Sequence, residues 1–519
     1  MRNCGILPCD EAAILSGPSA PVAVDHGMWV LAATVLGSSM EFIDGTVVNV
    51  ALPAMQKGLG ATGAQVQWVV VAYALFLSTL LLVGGALGDK LGLRKVFLAG
   101  VVLFAAASVW CGLAPGIEQL IAARALQGVG GAMLVPNSLA LVSANFPPER
   151  RGRAIGTWSG FSSMMMALGP VVGGWLVEHG SWRWVFFINA PLAVLTVLIV
   201  LWRVPGTGHH GDWIESIRGL DWKGAALSTA GLSGVTFALI ESASGGREVW
   251  FIGMVGVLLL VVSLAVESRS SAPLVPLTLF RSREFLGANV LTFFLYAALS
   301  GALFYLPLNL IQVQGYSSTQ AGATTVPVVL LIFLLSRWSG GLVGRYGARL
   351  PLVAGPLIVA LGYALLARPW VGGSYWTTYF PAMVTLGLGM AVSVAPLTTV
   401  VLSSVEEGQT GAASGVNNAV SQVAGLLALA LFAPIFFHVF SPSLTKRLDR
   451  GGVSESVAQH VEEQRAKLGA IETDDRQARG AVDGAFVTAF RVVTLLASGL
   501  AVAASLSAAA TIRGRERVN

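Results

Sequence analysis

The chain has 519 residues, of which only 11% are charged and 55% hydrophobic, whereas a soluble domain carries roughly 25% charged residues. That balance excludes a water-soluble globular protein and points to a lipid bilayer as the solvent. The net charge of +5 is sorted between alternate loops, as shown below, and calls for no nucleic-acid partner.

A helix needs about 20 apolar residues to cross roughly 30 Å of hydrocarbon. After a tail over 1–27 that holds acidic residues and three prolines, apolar runs of that length are expected near 28–53, 65–88, 95–114, 117–143, 153–177, 184–203, 222–243, 249–267, 284–308, 319–343, 350–368, 374–402, 411–440 and 485–511. Runs such as "LAVLTVLIVLW" are apolar at every phase, where strands of a membrane barrel would alternate, so the expected class is an all-α integral membrane protein. The tail does not resemble a secretory signal and is expected in the cytoplasm.

The first span, "GSSMEFIDGTVVNVALP", carries Glu41 and Asp44 three residues apart and so on one helix face. A charged carboxylate in mid-bilayer costs about 2.5–3.5 kcal/mol, so both should face the interior of a bundle. Asp44 lies roughly 13 Å below the outer end of its span, and Arg124 of the fourth span lies about 10 Å down from the same side. The matching depths predict an Asp44–Arg124 pairing. Burial disfavours an ionised carboxylate and a neighbouring Arg favours it, so a motion that alters either can load and release a proton. A static ion pair holding two spans together is the plainer reading.

Between the second and third spans, Gly85, Gly88 and Gly92 permit a tight turn and close helix approach, and Asp89 can cap a facing helix N-terminus. Arg94 and Lys95 are expected to meet lipid headgroups or to pair with Asp89. In the fifth span, Gly169, Pro170, Gly173 and Gly174 predict a bent, closely packed helix, or ordinary small-residue packing. Basic residues gather in alternate loops, at Lys90, Arg94, Lys95, Arg150, Arg151, Arg153, Arg218, Lys223, Arg269, Arg281, Arg283, Arg345 and Arg349, which predicts cytoplasmic termini.

"GALGDKLGLRKVFLAG" at 85–100 is echoed by "GLVGRYGARLPLVAG" at 341–355, with no acidic counterpart to Asp89. The echo predicts two halves, as transporters commonly show. The expected division is a tail 1–27, a six-helix bundle 28–203, a linker 204–283 with two extra spans, a six-helix bundle 284–511 carrying an external loop 441–484, and a cytoplasmic tail 512–519. Asn417, Asn418 and Gln422 of the thirteenth span, with Asn49 and Gln127, are expected either to line a cavity or to bond neighbouring helices. The loop 441–484 is rich in charge of both signs and reads as a solvated cap or as a docking surface.

Cys4, Cys9 and Cys111 support neither a disulfide framework nor a thiolate metal site. "GLGATG" at 58–63 follows a membrane span, not a strand, and is no dinucleotide fingerprint; no Gly-Lys dipeptide or H-E-x-x-H occurs. No cofactor, metal or enzymatic activity is expected.

Five stretches in order, "IDGTVVNVALP" (43–53), "GGALGDKLGLRK" (84–95), "RALQGVGGAMLVP" (124–136), "ALGPVVGGWLVEHGSWRWVFFINAP" (167–191) and "GAASGVNNAVSQVAGLLALA" (411–430), resemble the fourteen-span drug/proton antiporter family of the major facilitator superfamily. The resemblance implies two six-helix bundles plus two inserted helices and alternating access driven by the proton-motive force. It implies export of lipophilic, cationic or neutral toxic compounds across the inner or plasma membrane. In it Asp44 is a signature position, the Gly85–Arg94 loop latches the bundles, and the Gly169–Gly174 motif separates antiporters from symporters. Glu41 is an addition to the signature, either a second proton carrier or a counter-charge for cations, and Ser421 stands where the family often has Arg. An exporter of one metabolite or antibiotic is the nearest competing reading. A receptor or assembly subunit, or docking of an envelope adaptor through 441–484, is further off.

Overall fold

Among the described residues of the computed structural model, which are 24–204, 222–242, 246–269, 277–406 and 409–512, fourteen helices are long and apolar enough to cross a membrane. Their main helical segments in chain order are α1 (Val24–Leu59), α2 (Gly63–Leu91), α3 (Leu93–Leu113), α4 (Ile117–Asn145), α5 (Pro148–His179), α6 (Asn189–Arg203), α7 (Trp222–Glu241), α8 (Arg247–Glu267), α9 (Arg283–Leu308), α10 (Val326–Gly340), α11 (Arg349–Leu366), α12 (Phe380–Ser403), α13 (Thr410–Arg450) and α14 (Arg476–Thr511), the sixth span starting at Trp184 and the tenth at Ser318. The tails over 1–23 and 513–519, with Cys4 and Cys9, and loop residue Arg218 lie outside the described residues.

The spans expected from hydropathy are all present, with shifted ends. α1 continues through Pro53 to Leu59, α9 closes in a π-helical turn over Asn309–Val313, and the tenth span is broken into Ser318–Ala323 and α10. The largest difference is at the thirteenth span. The sequence places its end near 440, yet α13 runs on through Pro442 to Arg450, and α14 begins at Arg476, so the segment between the two helices shrinks to 451–475. At about 1.5 Å per residue α13 exceeds the hydrocarbon thickness by far, so its last turns stand in water. There an interior proline costs about 3 kcal/mol. Phe440, Leu444 and Leu448 are all buried, and each such burial returns about 1.5–3 kcal/mol, enough to carry the helix past the proline.

α1 to α6 pack on one another, as do α9 to α14, giving two six-helix bundles; α7 and α8 form a hairpin whose first helix lies against both α2 and α13. Gly231 and Gly256 let α7 and α8 approach so closely that a methyl group at Gly256 would press on the α7 backbone. α8 exposes a belt of Phe251, Met254, Leu258, Val261 and Leu264, as a lipid-facing helix should.

Among the described residues, several bonds that tie the bundles together lie away from the termini. Gln312 after α9 donates to Gln56 Oε1 (2.8 Å), and Gln56 donates to the carbonyl of Lys467 (2.9 Å). The Gln67 amide of α2 donates to the Leu429 carbonyl of α13. Glu178 of α5 accepts from Ser317 Oγ (2.9 Å), the Thr319 backbone N–H (3.2 Å) and the Thr319 hydroxyl at the start of the helix Ser318–Ala323. The molecule is therefore clasped at the end opposite its termini.

Candidate functional site

Between the bundles lies a cavity of about 400 Å³, walled by α1, α2, α4 and α5 on one side and by α9, α10, α12 and α13 on the other. Its walls are mostly apolar, and among the described residues lining it only Glu41 and Arg124 are charged.

Asp44 and Arg124 form a salt bridge of 2.6 Å with side chains 0% and 1% exposed. α1 and α4 bring them together, as the matching helical rise predicts. Gln127, one turn beyond Arg124 and on the same face, donates its amide to Asp44 Oδ1 (2.9 Å) and accepts from Arg124 Nη1 (2.8 Å). Arg124 Nε donates to the Val69 carbonyl (3.0 Å), and its guanidinium carbon lies 4.2 Å from the Tyr73 ring centroid. Three elements thus fix one guanidinium: a carboxylate from α1, a carbonyl and an aromatic face from α2, and an amide from its own helix. Behind the pair, Asn189 at the start of α6 reaches Asp44 Oδ1 (3.4 Å) and donates to Ser108 Oγ of α3 (3.0 Å).

Glu41 is buried on the cavity wall and makes no hydrogen bond or ion pair among the described residues. The two carboxylates of the first span are therefore unlike. Asp44 is neutralised and enclosed, whereas Glu41 faces the cavity without a partner.

Of the five amides expected at a cavity, Asn49 and Gln422 line it. Gln127 is fully buried behind the wall in the Asp44 network. Asn417 bonds α9 instead, donating to Asn289 Oδ1 (3.2 Å) and Thr292 Oγ1 (2.7 Å), and Asn418 is exposed and outside the cavity wall. Ser108 and Asn189 escaped sequence reasoning. Asn189 sits within "FFINAP", a stretch whose family resemblance marked it as notable but whose partner lies on a helix 145 residues away.

The loop after α2 turns at Gly92, whose φ of 97° suits glycine. Gly88 abuts Asn137 of α4 so closely that a Cβ would collide, while Gly85 touches Pro136. Arg94 does not pair with Asp89. It caps α6 by donating to the carbonyls of Val200 (3.1 Å) and Leu201 (3.2 Å), where a cation also meets the negative end of the helix. Asp89 is exposed and makes no hydrogen bond or ion pair among the described residues.

In α5, Gly169 and Gly173 bear on Thr46 and Val47 of α1, while Gly174 meets the backbone of Ser318 and Thr319 across the seam. Gly322 returns the contact against the Pro170 carbonyl. Pro170 itself lines the cavity. No group of three metal-ligating side chains occurs among the described residues.

A family model described as Major Facilitator Superfamily matches residues 34–429. The chain is 34% identical over 440 residues, 83% of its length and 80% of the relative's, to the multidrug resistance protein Stp of Mycobacterium tuberculosis. It is 33% identical over 413 residues, 77% of its length and 74% of the relative's, to the tetracenomycin C resistance and export protein of Streptomyces glaucescens. A solved bacterial homologue of the human lysosomal transporter Spinster superposes with a TM-score of 0.65 at 18% identity, covering 93% of this chain and 98% of that one.

Proposed function

The chain belongs to the major facilitator superfamily, and from that premise we propose that it is a proton-coupled antiporter that exports amphipathic toxic compounds by alternating access. The observation that carries the reading is the enclosed Asp44–Arg124 pair beside a cavity into which Glu41 faces unpaired. The relatives named for drug resistance and export support the direction of transport.

In this reading the cycle starts with the end opposite the termini clasped. The positive-inside pattern of the loops supports cytoplasmic termini, and with them a cavity that loads from the cytoplasm. A lipophilic substrate, cationic or neutral, enters a mostly apolar cavity whose free carboxylate favours cations. After the bundles rock, a proton from outside neutralises a carboxylate and the substrate leaves outward. Protonating Asp44 frees Arg124, and Glu41, one turn along the same face, is the nearest carboxylate to receive it. The two acids thereby compete for one guanidinium, which links proton occupancy to the charge seen by substrate. One pH unit supplies about 1.4 kcal/mol per proton and 100 mV about 2.3 kcal/mol per charge, enough to concentrate substrate roughly tenfold or more.

In this reading Asp89 engages its facing helix only in the opposite state. The external segment folds against the protein's own α1, α2 and α14, which supports an intramolecular role for it over adaptor docking. A narrower exporter of one antibiotic is the second reading, favoured by the tetracenomycin relative's name. Everted membrane vesicles separate these possibilities. Uptake of several unrelated dyes, each abolished when nigericin collapses the pH gradient, is expected for the broad antiporter. Uptake of one compound only supports the narrow exporter, and uptake that persists without a proton gradient sinks the coupling.

A further inference from the structure

Asp44 Oδ2 accepts from Arg124 Nη1 (2.6 Å), while Oδ1 accepts from Gln127 Nε2 (2.9 Å) and, at the longer distance of 3.4 Å, from Asn189 Nδ2. The same Asn189 nitrogen donates to Ser108 Oγ (3.0 Å), whose hydroxyl donates in turn to the Phe186 carbonyl (2.8 Å). All four partner side chains are buried, yet Asn189 Oδ1 has no hydrogen-bond partner among the described residues. A buried acceptor without a donor is unfavourable and rare in a native interior, so it calls for a reason.

The reason lies in the other protonation state of Asp44. An ionised carboxylate only accepts, so two amide donors suit it; a carboxylic acid donates, and a proton on Oδ1 would meet two N–H groups and no acceptor. Arg124 has no acceptor to offer, and Gln127 Oε1 is already engaged by Arg124 Nη1 (2.8 Å). Among the hydrogen-bond partners of Asp44, Asn189 alone keeps an unengaged acceptor. Turning its amide over points Oδ1 at Asp44, and the Ser108 hydroxyl, which can accept or donate, swings its proton from the Phe186 carbonyl toward the same oxygen. The charged and titratable groups near Asp44 among the described residues are Glu41 on its own helix, Arg124 of α4, Tyr73 of α2 and Cys111 of α3. The Tyr73 ring lies against Arg124 with its hydroxyl by Gly131, and Cys111 Sγ is directed at Gln127 Oε1 (3.6 Å).

We propose that Asn189 is a positioning residue for the coupling proton: it donates to Asp44 while the carboxylate is charged and, after its amide turns over, accepts from Asp44 once the acid is protonated. The proposal rests on the proton-coupled reading of Asp44. It keeps the neutral acid held by α6 when Arg124 is freed, so both protonation states find partners in a site closed to water. The 3.4 Å contact, at the long end of hydrogen bonding, suits a bond that has to break in each cycle.

Infrared difference spectra between high and low pH, taken on the purified full-length protein carrying isotope-labelled asparagine, test it. The carboxylic-acid band of Asp44 is identified by its absence in Asp44→Asn. Alongside it, wild type is expected to show a labelled asparagine C=O band that moves to lower frequency at low pH, as a free carbonyl does when it gains donors, and that is lost in Asp44→Asn. Asn189→Leu, close in volume but without donor or acceptor, is expected to abolish that band. Ser108→Ala, a milder change that removes the second donor to the turned carbonyl, is expected to move the low-pH band back upward and so assigns it without touching Asn189. A static amide tying α6 to α1 gives no asparagine signal. Its absence from wild type while the Asp44 band is present, its persistence in Asn189→Leu, or its indifference to Ser108→Ala overturns the role of Asn189 and leaves proton coupling at Asp44 standing. An Asp44 acid band that appears at no pH overturns the coupling reading and the role of Asn189 with it.

Discussion

A guanidinium removed from water is tolerable only when its partners are in place, and breaking a buried pair by deleting one member typically costs about 3–5 kcal/mol. Arg124 meets that condition with a carboxylate, an amide, a carbonyl and a ring at once. Lysine would keep the charge but not the planar fork. Arg124→Lys is therefore expected to reach the membrane yet lose on the order of tenfold or more in efflux rate, since it cannot hold Asp44, Gln127 and the Val69 carbonyl together. Wild-type efflux from that variant would mean charge alone suffices. The pair itself was legible in the sequence because helical rise converts residue number into depth, and both charges came out at one level. Its surroundings were not. Gln127 looked equally suited to a cavity wall, and nothing in one helix tells which neighbour its amide will meet. The unlike environments of Glu41 and Asp44 depend on α4 and α6 closing over one carboxylate and not the other.

At the scale of elements, the small residues of α5 divide their work. Gly169 and Gly173 let α1 close in, which holds Asp44 at the right height, and Gly174 lets Ser318 and Thr319 seat across the seam. A methyl group at position 174 would meet backbone, which cannot swing aside as a side chain could. Gly174→Ala is thus expected to loosen the clasp and favour the form open to the outside. A cysteine at Ser300 on the cavity wall, in a background without the native cysteines, should then react severalfold faster with an impermeant maleimide added outside. An unchanged or slower rate would show that the seam does not set the closed state. The motif was readable as close packing, but its partner was not, because the helix Ser318–Ala323 lies in the other half of the chain. The length of α13 was misjudged for a related reason. Ser441-Pro442 reads as a stop, and only the contact of Phe440, Leu444 and Leu448 with the rest of the fold explains why the helix continues.

The whole molecule combines a closed end, a central cavity shared by both bundles and a hairpin inserted between them. Hydropathy and the echo of 85–100 at 341–355 made the two halves and the extra pair of spans readable, since bilayer thickness and repeat length are one-dimensional quantities. Which state the bundles adopt is not one-dimensional. It rests on Gln56, Gln67 and Glu178 meeting partners more than a hundred residues away. Antiport of the kind proposed requires substrate and proton to compete at the first-span carboxylates. The most direct measurement is proton release when tetraphenylphosphonium is added to purified protein in weakly buffered detergent solution, comparing wild type with Asp44→Asn and Glu41→Gln. Release by wild type that disappears in Asp44→Asn and is reduced in Glu41→Gln is the predicted result. Equal release from all three proteins would contradict it and leave the pair a structural tie between α1 and α4.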